Sequence, residues 1–347
     1  EGKFTDLGIL DVLQIFGRAG RPQFQDTGIG FICTTHDRLD HYMRAVTEQQ
    51  PIESRFSAKL IDNLNAEISL GTVTTVSEAV TWLGYSYLFV RMQKSPLMYG
   101  IEWSEIRDDP QLVGRRRKLI IDAARILQRS QMIIFNETTE DLRAKDVGRI
   151  ASQYYVQQSS IEIFNTMMRP RSTDADALAM VSMSGEFDQV QSRESEEKEL
   201  SALKEEGHVI TEVKDGYATS HGKTNYLLQA HISRARLEDF TLTSDTNYIT
   251  QNAARIARAL FMIALNRRWG YQCRVLLSLC QSIEHRCWSF QHPLHQYDLP
   301  QPVLRALDHK YPSIQTLRDM DAMEIGDMVH NKKMGGVIAK LMNNFPT

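Results

Sequence analysis

Hydrophobic positions recur at helical spacing through most of this chain. Phe56, Leu60, Ile61, Leu64 and Ile68 mark one face of an amphipathic helix that stops near Gly71. Thr75 and Glu78 have the spacing of a capping box ahead of Ala79, Val80, Leu83, Tyr87 and Val90. Asp109-Pro110 reads as the start of another helix, with proline in its first turn and Leu112, Leu119, Ala123 and Ile126 pointing inward. Met132 to Phe135, the turn-like Asn136-Glu137-Thr138 and a short apolar segment near Leu142 predict a hairpin. Helices followed by a hairpin suggest a winged helix. Nearer the start, Gly28 to Cys33 is a short apolar run bounded by glycines, the pattern of a buried strand. Thr34 to Asp37 then caps a helix carrying Leu39, Tyr42 and Met43.

Beyond the hairpin the pattern stays helical. Val147, Ile150, Tyr154 and Tyr155 continue one apolar face. Glu186 to Glu206 is dense in charge, and Arg193–Glu197 and Glu194–Lys198 have the spacing that supports an exposed helix. Val209 to Thr224, richer in glycine and polar residues, reads as a loop or linker. Asp245 to Trp269 is the most regular stretch. Ile249, Ala253, Ile256, Leu260 and Ile263 repeat at four- and three-residue spacing, facing a core. Gln251, Arg255, Arg258, Met262 and Asn266 fall on the other side, offset by about 200°. That stripe is either a solvated outer face or the wall of a nucleic-acid channel, where arginine tracks phosphates and methionine slides against bases.

A chain of 347 residues suggests two to four modules, at roughly 100–200 residues each. Lys plus Arg number 40 against 43 Asp plus Glu, a net charge of −3, so contact with nucleic acid requires local basic patches. Arg115-Arg116-Arg117-Lys118 is one such run, touching phosphates or lying on a solvated face. The four cysteines form no C-x-x-C pair, and Cys273, Cys280 and Cys287 fall seven apart, which reads as buried free thiols in a reducing compartment and predicts no metal site. No apolar run approaches the roughly 18 residues of a membrane span, and no membrane partner is expected.

The candidate chemistry lies near the start, in Gln14-Ile15-Phe16-Gly17-Arg18-Ala19-Gly20-Arg21-Pro22. Two arginines, each preceded by glycine, place planar guanidinium forks on a permissive backbone, a geometry that meets phosphate oxygens two at a time. This string resembles the sixth motif of superfamily 2 helicases, in the form found in the Ski-like branch. The resemblance implies that Gln14, Gly17, Arg18, Gly20 and Arg21 face ATP and its Mg2+, with Arg18 and Arg21 stabilising charge in phosphoryl transfer. No G-x-x-x-x-G-K-[S/T] and no D-E-x-H occurs, so one half of an ATPase site is expected, inactive by itself, with Mg2+ held mainly by a first motor domain.

The resemblance extends along nearly the whole chain, through Leu64-Asn65-Ala66-Glu67-Ile68, Gly148-Arg149-Ile150-Ala151-Ser152 and Gln251-Asn252-Ala253-Ala254-Arg255. It implies a mainly α chain. Residues 1–45 would end a second RecA-like α/β domain, 46–145 form a winged helix, 146–305 a helical bundle with its ratchet helix at 245–269, and 306–347 a helix–loop–helix. Gln251, Arg255, Arg258 and Met262 carry over as contacts to single-stranded nucleic acid. Lys332 and Lys333, expected between two short helices beside Gly335 and Gly336, carry over as phosphate contacts. Phe4 to Val12 and Pro51-Ile52-Glu53-Ser54 look most like the amino-terminal cassette of large two-cassette members of the branch. These imply 3′-to-5′ unwinding in ribosome quality control or DNA alkylation repair. The implied partners are the ribosome and the other subunits of a cointegrator-type complex, in cytoplasm and nucleus. A spliceosomal RNA unwindase and a catalytically silent, protein-binding cassette are the alternatives.

Overall fold

In the computed structural model, residues 8–20, 27–47, 52–214 and 216–343 are described, and the fold among them is mainly α. The chain divides into two compact units, Glu1–Leu60 with Val80–Arg116, and Ile61–Ala79 with Arg117–Thr347. Helix α1 (Ile9–Phe16) precedes α2 (His36–Thr47), and α3 (Leu60–Leu70) follows a single turn at Phe56–Lys59. Next come α4 (Val76–Gly84), α5 (Tyr87–Lys94), α6 (Trp103–Asp108) and α7 (Val113–Arg129). The expected capping box forms: Thr75 Oγ1 accepts from Glu78 N at 3.3 Å, and Glu78 Oε2 accepts from Thr75 N at 3.3 Å. The apolar pattern past it is broken into two helices, because Ser86 caps a new one by accepting from Phe89 N.

Two expectations in this part are corrected. Gly28 to Cys33 is not a strand: no described segment pairs with it, and without ladder partners Ile29 and Phe31 stay 80% and 86% exposed. Asp109-Pro110 does not open α7 directly. Leu112 N donates to Asp109 O at 2.9 Å, and Leu112 adopts φ +49, so a turn intervenes. Asp109 Oδ2 then accepts from Gly114 N at 3.0 Å, serving the new helix from outside it. Leu112 and Ala123 are buried as expected, whereas Leu119 and Ile126 are half-buried.

Strands β1 (Ile133–Phe135) and β2 (Leu142–Ala144) pair antiparallel, Ile133 against Ala144 and Phe135 against Leu142. Asn136 Oδ1 accepts from Thr138 N and Thr139 N, which closes the hairpin turn through a side chain.

The bundle comprises α8 (Asp146–Gln153), α9 (Gln158–Met167), α10 (Asp174–Ser182), α11 (Glu197–Glu205), α12 (Ser220–Ile232), α13 (Phe240–Asn266) and α14 (Gly270–His285). Helix α13 runs 27 residues, about 40 Å. It starts five residues before Asp245 because Asp239 caps it, accepting from Thr241 N and Leu242 N. Tyr155 falls beyond the end of α8 and projects outward, so the apolar face expected there stops at Ile150 and Ala151.

The stretch expected to be loop at Val209 to Thr224 ends inside α12, the most enclosed helix of the bundle. Finally α15 (Gln301–Lys310), α16 (Ile314–Asp319), α17 (Ala322–Met328) and α18 (Lys332–Met342) share a core of their own around Leu304, Leu307, Leu317, Ile325 and Ile338. No described helix is long and apolar enough to cross a membrane.

Candidate nucleotide and nucleic-acid interfaces

Gln14 is exposed on the last turns of α1, and Gly17 and Arg18 are exposed in the turn that follows. Arg18 N donates to Ile15 O at 3.1 Å and Ala19 N to Phe16 O at 3.0 Å, so the turn continues the helix tightly. Gly28 passes against it: a Cβ there would lie 2.7 Å from Ala19 O. Among the described residues the Arg18 guanidinium has no hydrogen-bond or ionic partner, and Gly20 is half-buried. Arg21 lies outside the described residues. A guanidinium and an exposed amide four residues apart in sequence are donors of the kind that fit nucleotide phosphates. Among the described residues no group of three His, Cys, Asp or Glu side chains comes together to hold a metal ion.

On α13, Ile249, Ala253, Ile256, Leu260 and Ile263 are all buried, as their spacing predicts. Gln251, Arg258 and Asn266 are exposed, and Arg255 and Met262 half-buried. From Thr246 to Ile283 the sequence holds Arg255, Arg258, Arg267, Arg268 and Arg274 and no Asp or Glu. The two arginines of the stripe differ. Arg258 pairs with Glu284 of α14 at 2.6 Å, about half exposed on both sides, and this carboxylate raises its pKa. Arg255 is turned onto the chain itself. Its Nη2 donates to Asn252 Oδ1 at 2.7 Å, and its Nη1 donates to Tyr154 O at 2.9 Å and to Tyr155 O.

Three of the quoted segments thereby meet in one construction. Asn65 Nδ2 donates to Gly148 O at 2.9 Å, fixing α8 on α3. Gly148 permits the contact, since a Cβ there would lie 2.2 Å from Met132 O. Six residues after Gly148 the chain reaches Tyr154 and then Tyr155, whose carbonyls Arg255 of α13 holds, itself bound to Asn252.

Elsewhere the basic runs are placed differently from expectation. Arg116 is buried, donating to Val80 O at 2.7 Å and Gln111 O at 3.1 Å over the Phe89 ring, and burial lowers its pKa. Arg115 donates to Tyr99 O and Gly100 O, and Arg117 forks onto Glu140. Three of the four charges therefore fasten backbone or carboxylate, and only Lys118 is left on the solvated face. Lys332 and Lys333, expected between two short helices, are exposed but open α18 and do not lie in a loop. Gly335 is inside that helix, where a Cβ would lie 2.1 Å from Ala322 O; its role is close packing on α17.

The charge-dense stretch before α11 conceals a buried cluster. Lys223 and Glu196 are both fully buried, and Lys223 Nζ donates to Glu196 Oε2 at 2.6 Å, Asp245 Oδ2 at 2.7 Å and Gln191 O at 2.9 Å. Arg193 pairs with Glu196 at 2.5 Å, and Thr241 donates to the same oxygen. Burial alone raises the Glu196 pKa, but these donors outweigh it and hold the carboxyl below its ordinary range. Gly222-Lys223-Thr224 has the look of a phosphate-loop ending, yet its lysine points into the bundle. Burial raises the Cys280 and Cys287 thiols to about 11, so both stay protonated.

The sequence signature of the Sec63 Brl domain matches residues 144–346, and that of a winged helix-turn-helix domain matches residues 53–129. The chain is 53% identical over its full 347 residues to the RQC trigger complex helicase SLH1 of Saccharomyces cerevisiae, covering 18% of that protein. It is 46% identical, again over its full length, to activating signal cointegrator 1 complex subunit 3 of Homo sapiens, covering 16%. It is 43% identical to the DExH-box ATP-dependent RNA helicase DExH14 of Arabidopsis thaliana, also covering 16%. The chain thus spans less than a fifth of the length of these curated relatives.

Proposed function

The chain belongs to the Sec63 Brl-domain family, and from that premise we propose that it carries the strand-holding part of an ATP-dependent 3′-to-5′ nucleic-acid helicase of the Ski-like branch. The observation that supports this most is the outer face of α13: arginines and amides on a long, firmly seated helix, in a stretch without a carboxylate from Thr246 to Ile283. Such a face attracts a phosphate backbone without selecting a sequence. Arg258, Gln251 and Met262 line it, and Lys332 and Lys333 offer a second basic point. Gln14, Arg18 and Arg21 meet the terminal phosphates of ATP, whose Mg2+ is held by residues outside this chain. Bound nucleotide supplies the phosphoryl-transfer chemistry; Arg18 and Arg21 stabilise the charge that develops on its oxygens.

The names of the relatives, an RQC trigger complex helicase and a cointegrator complex subunit, support work in ribosome quality control within a multi-subunit complex. In this reading the partners are the ribosome and the other subunits of a cointegrator-type assembly, in cytoplasm and nucleus. A role in DNA alkylation repair is the second task of the same motor. Steady-state ATP hydrolysis by the full-length protein tests the chemistry. Arg18→Ala or Arg21→Ala is expected to lower turnover by about a thousandfold. Turnover near that of the unaltered protein would overturn the assignment of both arginines.

A further inference from the structure

We propose that Tyr155 is a base-stacking contact for the strand on the outer face of α13, and that Arg255 acts as its positioning residue and not as a phosphate contact. This rests on the strand-binding reading above and adds to it a contact that helical periodicity conceals.

Tyr155 sits just past the end of α8, where Val156 N donates back to Ala151 O at 2.9 Å and Tyr155 N to Ser152 O at 3.3 Å. The residue adopts φ +53, the left-handed conformation that glycine occupies most readily at this point of a helix end. A tyrosine here is therefore held against its backbone preference. Packing does not explain its presence, because the residue is 83% exposed and its ring and hydroxyl have no partner among the described residues. What holds the position is Arg255, whose Nη1 donates to the carbonyls of Tyr154 and Tyr155 while Asn252 Oδ1 accepts from Nε and Nη2. The guanidinium is thus spent on fixing the direction of an aromatic side chain that leaves the surface beside the basic stripe.

The surroundings choose between a nucleic-acid and a protein occupant. Helix α8 packs on α13, and Tyr154 lies within electrostatic range of Arg258. Arg149 and Gln153 are exposed on the same short helix, and α13 offers Gln251 and Arg258. One carboxylate, Asp146, faces Arg149 at 3.3 Å, and another, Glu284, faces Arg258. Exposed cations and amides on the two helices beside this exposed ring suit a strand whose phosphates meet the arginines while a base lies on the tyrosine, and every base has a face to offer.

The test uses the full-length protein and fluorescein-labelled oligouridine, with binding measured across a range of salt. Tyr155→Gly removes the ring and relieves the backbone, so its melting temperature is expected to be unchanged or raised. Its affinity should fall about five- to a hundredfold, with the slope of log affinity against log salt unchanged, because a stacking contact releases no counterion. Tyr155→Phe should bind as the unaltered protein does. Arg255→Gln should weaken binding with the slope again unchanged; a slope smaller by about one would make Arg255 a phosphate contact and overturn its positioning role. Binding by Tyr155→Gly as tight as that of the unaltered protein would overturn the stacking contact while leaving the strand-binding reading in place. Failure of the unaltered protein to bind the oligonucleotide would instead sink the strand-binding reading itself, and this inference with it.

Discussion

Helices α12 and α13 pack against each other, yet they relate to their sequences in opposite ways. On α13 the apolar line from Ile249 to Ile263 and the polar stripe opposite it separate by side, because the helix lies at a boundary between core and solvent. On α12 nearly every residue from Gly222 to Ile232 is buried, polar ones included. Lys223 is satisfied by Glu196, Asp245 and Gln191 O; Gln229 accepts from Ile210 N and Thr211 N and donates to Thr211 O and Asn225 Oδ1. Periodicity reports an interface with water. A helix without such an interface has none to report, and its polar residues mark internal bonds.

If that contrast is right, the two helices respond differently to substitution. The largest effect is expected from Lys223→Met on α12, which strips the buried cation from Glu196 and Asp245 and leaves them only the more exposed Arg193, at 2.5 and 3.6 Å. A loss of about 3–5 kcal/mol in unfolding free energy is expected, measurable by urea denaturation, and a loss under about 1 kcal/mol would break the comparison. A smaller effect is expected from pH. His231 of α12 has its pKa lowered by burial and by Arg286, against the opposing bond to Ile283 O. The neutral ring is the folded form, so its contribution is complete above the unfolded value near 6.5 and is lost as pH falls through the folded one. Melting temperature should therefore decline below about pH 6.5, and His231→Gln should flatten that decline; an identical slope in the variant would remove His231 from the account. The smallest effect is expected at Arg258 on α13. Its pairing with Glu284 is half exposed, so Arg258→Ala should cost at most about 0.5 kcal/mol, and a loss several times larger would show that the outer face carries the fold.

The same distinction explains what could be read beforehand. The buried line Ile249 to Ile263, the Thr75–Glu78 box and the hairpin at Ile133–Ala144 were legible because each depends on a short, local pattern. The Gly28–Cys33 run was misread because a strand requires neighbours that no local pattern supplies. The anchoring of Arg115 and Arg116, and the buried Glu196 within the charged run, were not legible because charge alone does not say whether a partner waits inside. At the candidate site, spacing put Arg255 and Arg258 on one stripe. It could not foresee that one would turn back to Tyr154 and Tyr155, since that bond joins residues 101 positions apart.

The glycine crossing between α17 and α18 has a mechanical consequence. Helices usually meet through a layer of side chains that can slide, bend or change rotamer under load. Where Gly335 lies against Ala322 O and the Gly326 backbone, that layer is missing, and main chain bears on main chain. At that one crossing point no side chain lies between the two helices. A pull on Lys332 or Lys333 at the start of α18 would be passed to Ala322–Met328 with little lost to deformation, which makes this small module a stiff lever and not a cushion.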